Sequence, residues 1–99
     1  MDVFRIKDRI GEAAVLEQLA EECAELAQAA LRMARIERGD NPTPVTMQKA
    51  KENLVEEIAD VNACLNVLGV EVTFLDESLS FTILGKMVRW DDRLQERGK

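Results

Sequence analysis

The stretch Leu16-Glu17-Gln18-Leu19-Ala20-Glu21-Glu22-Cys23-Ala24-Glu25-Leu26, read with Glu56-Glu57-Ile58-Ala59-Asp60, decides how this chain folds. Both segments consist largely of good helix formers and contain neither Pro nor Gly. Residues three apart share one side of a helix, so Glu22 pairs with Glu25 and Glu57 pairs with Asp60. Two such helices packed side by side, ~8–10 Å between axes, bring four carboxylates to one point. Crowded anions repel one another and lose hydration. Either they splay into water as two solvated acidic faces, or a hard cation holds them. An oxygen-only ligand set selects Mg²⁺, with Mn²⁺ as a substitute. Spacing alone leaves both outcomes open.

Working outward, the first acidic segment lies in a helical pattern from about residue 12 to 38. Its main apolar stripe is Leu16, Leu19, Ala20, Cys23, Ala27, Ala30 and Ala34. A weaker stripe runs through Val15, Glu22, Glu25, Ala29, Met33 and Ile36, so the acids sit on a flank that is apolar above and below. Gly39-Asp40-Asn41-Pro42-Thr43-Pro44 ends the helix, because Gly closes it and two prolines forbid its continuation. Thr46 is the expected N-cap of a helix over about residues 47–68. Its core stripe is Met47, Ala50, Leu54, Ile58, Val61, Leu65 and Leu68. Glu57 and Asp60 lie beside that stripe, on a flank continued by Cys64 and Val67.

Gly69 ends this second helix, and Val70-Glu71-Val72 reads as a short extended connection. Thr73 with Asp76 resembles a capping box. A last helix over about residues 74–96 follows, with Leu75, Leu79, Ile83, Met87, Trp90 and Leu94 as its stripe. Gly85 interrupts it, and Lys86, Arg89 and Arg93 form a basic strip. That strip is either solvated charge or a phosphate clamp. Residues 1–11 read as a short helix or arm, broken at Gly11. The expected fold is therefore all-α: three main helices plus the N-terminal helix or arm, in one domain spanning 1–99.

The chain has 99 residues and a net charge of −6, which does not attract a nucleic-acid backbone. It has no His and no Tyr, which excludes Ser-His-Asp and Cys-His sites, His-dependent zinc sites and Glu-x-x-His di-iron pairs. Cys23 and Cys64 each sit alone in a helical pattern and are expected as small core residues rather than a disulfide. No apolar run is long enough to span a membrane and no signal peptide is visible, so the expected compartment is cytoplasmic. If this chain does chemistry, carboxylates and cations carry it.

Glu21-Glu22-Cys23-Ala24-Glu25 and Glu57-Ile58-Ala59-Asp60 resemble the EExxE and ExxD motifs of the MazG-type all-α nucleoside triphosphate pyrophosphohydrolases. The resemblance covers residues 12–97 and is strongest to short, single-domain, phage-type members, through Asn41–Pro44 and Glu56–Val61. It implies Mg²⁺-dependent hydrolysis of a (deoxy)nucleoside triphosphate between the α- and β-phosphates. Glu22, Glu25, Glu57 and Asp60 would hold the metal, with Glu21 as an auxiliary that orients the water or a ligand. Lys86 and Arg89 would hold the triphosphate, and the loop with Asn41 would reach the nucleotide. Trp90 and Phe81 are candidates for contact with the base. Related proteins build their site across a dimer, which implies a homodimer or homotetramer that completes a four-helix-type bundle. The exposed second stripe of the first long helix points the same way. Two other readings share these residues: a catalytically silent helical interaction or regulatory module, and a Mg²⁺-dependent nucleotide-binding protein of different cleavage specificity.

Overall fold

The structure is a computed structural model that describes residues 4–39, 44–69 and 77–98. The described residues form four helices and no strand: α1 (Phe4–Ile10), α2 (Glu12–Arg38), α3 (Met47–Leu68) and α4 (Glu77–Arg97). The fold is all-α. The expected loop contacts of Asn41, the extended segment at 70–72 and the Thr73–Asp76 capping box lie outside the described residues. None of the described helices is long and apolar enough to cross a membrane. The chain divides into two compact units, Met1–Leu68 and Gly69–Lys99.

The first unit is a helical hairpin of α2 and α3, which make the largest interhelical contact, with α1 packed on both. Gly11 separates α1 from α2 at φ 90°, a left-handed conformation that glycine adopts without steric cost. Gly39 closes α2 at φ 68°, donating its N–H to the carbonyls of Arg35 and Ile36. Thr46 caps α3, its Oγ1 accepting the Lys49 N–H at 3.1 Å. At the far end, Lys7 Nζ donates to the Leu68 carbonyl at 3.1 Å. A cation from α1 thus satisfies a terminal acceptor of α3. The start of the unit lies against the end of α3, so α2 and α3 run antiparallel.

The face that α2 buries corrects the sequence reading. Leu16 is 43% exposed, and Ala20, Cys23, Ala27 and Ala30 are exposed with it. Of that stripe Leu19 and Ala34 are half-buried; the packed line is the weaker stripe, Val15, Glu22, Ala29, Met33 and Ile36, joined by Leu19 and Leu26, all buried or half-buried. Their spacing alternates four and three, which is the seam of a heptad repeat. On α3 the matching seam is Met47, Ala50, Leu54, Glu57, Val61, Cys64 and Leu68, while Ile58 is 42% exposed. The reason is volume. The expected α2 stripe is largely Ala, whereas Val15, Leu26, Met33 and Ile36 remove more apolar area from water per residue. Cys23, expected in the core, is exposed, and Cys64 is half-buried in the seam; both are free thiols.

The second unit contains one described helix, α4. Its stripe of Ile83, Met87, Trp90 and Leu94 is 50–61% exposed. Gly85 serves no tight packing among the described residues, since an added Cβ would meet only the Arg89 guanidinium at 3.5 Å.

The Thr46 cap gives a direct test. Thr46→Ala should lower unfolding stability by about 1 kcal/mol in urea titration, with Thr46→Ser close to wild type. An unchanged midpoint in the alanine variant would show that the cap carries no stability.

Candidate metal centre

In heptad notation, a and d are the seam positions and g lies on one flank. Val15, Glu22, Ala29 and Ile36 occupy d on α2, and Gln18, Glu25 and Arg32 occupy g. On α3, Ala50, Glu57 and Cys64 are d, and Asn53, Asp60 and Val67 are g. In an antiparallel pair the two g flanks lie on the same side. The acids of both helices therefore meet there: Glu22 and Glu57 from within the seam, Glu25 and Asp60 from its rim.

The burial agrees with this placement. Glu22 and Glu57 are half-buried, and Glu25 and Asp60 are exposed. Each of the four residues offers a carboxylate oxygen within 4.8 Å of the others. No lysine or arginine among the described residues forms an ion pair with any of them; Lys49 pairs with Glu52 instead. Gln18 Nε2 donates to Glu22 Oε1 at 2.7 Å. The second oxygens, Oε2 of Glu22 and of Glu57, are shielded from solvent and have no hydrogen-bond donor among the described residues.

The electrostatics follow from this crowding. The Gln18 hydrogen bond pulls the Glu22 pKa down, but burial and the charges of Glu25 and Asp60 outweigh it, so the net shift is upward from 4.5. Burial, with the nearby Glu22 and Asp60 carboxylates, also pushes the Cys64 thiol up. Cys64 therefore stays a neutral thiol beside the site, and the donor set is oxygen alone. A hard divalent cation fits both features: it takes carboxylate oxygens and satisfies the two shielded, donorless atoms.

Of the other site residues, Glu21 is exposed on α2 and stands outside the quartet. Lys86 and Arg89 lie on α4 in the second unit, exposed, in a shallow concavity with Ile83, Met87, Trp90 and Arg93. Phe81, also on α4, is 72% exposed. Asn41 lies outside the described residues. Sequence reasoning missed the seam position of Glu22 and Glu57, although the alternating four-three spacing through both was a readable signal. Comparison of the chain with protein families, with curated proteins and with solved structures returns no match.

The raised Glu22 pKa fixes the sign of a pH effect. In the window just above 4.5, the folded state binds more protons than the unfolded chain, so metal-free stability should fall as pH rises through it. A bound cation needs the deprotonated ligands and should reverse that slope. Thermal melting across this window, in chelator and in Mg²⁺, should give opposite slopes for wild type relative to Glu22→Gln. Parallel slopes in the two buffers would remove the cation from the site.

Proposed function

We propose that this chain is a Mg²⁺-dependent nucleoside triphosphate pyrophosphohydrolase of the MazG type, with Mn²⁺ as a substitute ion, acting in the cytoplasm. The observation that carries the reading is the meeting of Glu22, Glu25, Glu57 and Asp60 within 4.8 Å, two of them with shielded, donorless oxygens. These are the four acids that the resemblance assigns to the metal. In the proposed reaction, water attacks the α-phosphorus, the α–β anhydride breaks, and the monophosphate and pyrophosphate leave. Glu22, Glu25, Glu57 and Asp60 hold Mg²⁺, which when bound supplies positive charge to the phosphate oxygens. Glu21 orients the attacking water. The resemblance gives Lys86 and Arg89 the role of neutralising the remaining phosphate charge and Asn41 that of contacting the nucleotide.

A panel of (deoxy)nucleoside triphosphates incubated with Mg²⁺, with products resolved, tests this. Monophosphate and pyrophosphate are expected. Orthophosphate as the product would mean a different cleavage specificity, and no turnover would favour the silent module. Glu25→Ala and Asp60→Ala should abolish turnover while the protein stays folded, because both side chains are exposed at the rim. Lys86→Ala and Arg89→Ala should raise KM; unchanged kinetics would leave that strip as solvated charge.

The active unit in this reading is a homodimer or homotetramer that completes a four-helix-type bundle. Support comes from the flank opposite the acids. There Leu16, Ala20, Cys23, Ala27 and Ala30 of α2 lie exposed, with Val55 (65% exposed) and Ile58 of α3. Soluble monomers rarely leave large contiguous apolar patches open, and small Ala residues allow close helix approach. Light scattering coupled to gel filtration should give a multiple of 11.1 kDa, and Ala27→Glu should shift it to the monomer. An active wild-type species at 11.1 kDa would rule the oligomer out.

A further inference from the structure

The quartet repeats one heptad further along the hairpin, toward the connection between α2 and α3, with its chemistry changed. The positions equivalent to Glu22, Glu25, Glu57 and Asp60 hold Ala29, Arg32, Ala50 and Asn53. Ala29 and Ala50 are 2% and 1% exposed, so two small side chains are buried in the seam at the positions that carboxylates hold one heptad away. Arg32 and Asn53 replace Glu25 and Asp60 on the rim, and both are half-buried. The displacement is one heptad, ~10 Å at ~1.5 Å per residue. A cleft of about 260 Å³ opens at this level, lined by Arg32, Val45, Lys49, Glu52, Asn53 and Glu56.

The lining groups select the ligand. Lys49 and Glu52 engage each other at 3.8 Å. Arg32 and Glu56 have no hydrogen bond or ion pair among the described residues, although both line the same cleft. With Lys49 and Glu52 offsetting each other, a phosphate at Arg32 would still meet Glu56, unpaired among the described residues, and like charge disfavours it. A planar neutral group that accepts from a guanidinium fork and donates to a carboxylate satisfies both residues.

We propose that this cleft is the base subsite of the nucleotide, and that it takes a base with an adjacent pair of acceptors and an amino group: guanine or cytosine. Arg32 donates to the acceptor pair, O6 and N7 of guanine or O2 and N3 of cytosine. Glu56 accepts from the exocyclic amino group. Asn53 adds one donor and one acceptor, and Val45 offers an apolar surface to the ring. Adenine sets its amino donor beside N7 and N1, and uracil or thymine sets N3–H between two carbonyls, so neither presents the adjacent pair. The inference rests on the reading above, in which the quartet binds the phosphates. The ~10 Å offset along the groove then separates phosphates from base.

Calorimetric titration with Mg²⁺ and non-cleavable α,β-methylene triphosphate analogues of the four bases tests it without turnover. Wild type should bind the guanine and cytosine analogues roughly tenfold or more tightly than the other two, the discrimination of one bidentate contact. Arg32→Ala and Arg32→Gln should abolish that preference, while inorganic tripolyphosphate with Mg²⁺ binds wild type and both variants alike. Equal affinity of wild type for all four analogues, or a preference unchanged in both variants, overturns the subsite. Turnover without base preference would remove the subsite and leave the hydrolase. Base-selective binding without turnover would uphold the subsite and remove the hydrolase. Failure of every analogue to bind wild type would remove both.

Discussion

Two carboxylates placed in an apolar seam set the terms for the rest of this fold. Glu22 and Glu57 stand at positions where the heptad pattern of α2 and α3 otherwise places Val15, Ala29 and Ile36 or Ala50 and Cys64. A charge at such a position is costly unless it is solvated, hydrogen-bonded or paired. The hairpin limits the cost in three ways. It keeps both acids only half-buried; it gives Glu22 a hydrogen bond from Gln18; and it raises the Glu22 pKa, so that the neutral form is easier to reach. None of these supplies a donor to the shielded oxygens of Glu22 and Glu57. The residual demand is for positive charge at one point, and no cationic side chain among the described residues meets it there.

That demand divides the hairpin into two unlike sides. The g flank carries Gln18, Glu25 and Arg32 opposite Asn53, Asp60 and Val67, all polar but one. The other flank carries Leu16, Cys23 and Ala30 of α2 and Ile58 of α3, all exposed, with half-buried Leu65 beside them and charges only at its ends, Glu37 and Lys51. A helix with one buried stripe needs only one such face. α2 thus carries two faces, one packed in the seam and one open to solvent. A second copy bound on the apolar flank would leave the polar flank open to a ligand.

The helices themselves were legible. The Gly and Pro punctuation, the Thr46 cap and the absence of breakers place α2 and α3 at the ends observed. Each half of the quartet was legible too, because i, i+3 spacing is a local property of one helix; that the two halves meet depends on the pairing of α2 with α3. The choice of buried face on α2 was not legible by counting apolar residues, since Ala at 20, 27, 30 and 34 counts as apolar while contributing little area. Counting also discounted the true seam, because Glu22 looked like an interruption of it. The Lys7–Leu68 contact joins residues far apart in sequence and depends on the hairpin's direction, so no local pattern announces it. The Arg32 cleft depends on the pairing register of two helices, which the sequence of either one alone does not contain.

The same register explains why the acids are better read as a site than as surface charge. Leu at 22 and 57 would complete both seams with good helix formers and would remove two half-buried anions at once. A sequence shaped by stability alone has that solution available. The actual sequence instead breaks the local rule twice, at the same level of both helices, and adds Glu25 and Asp60 beside the breaks. Departures from local consistency that coincide in space are the pattern expected of function held at a cost in stability. A solvated acidic face would place its acids on the outer b, c and f positions, away from each other. Here the heptad puts the two most burdened acids where they face one another, and a ligand that binds only the folded hairpin would recover the cost of placing them there.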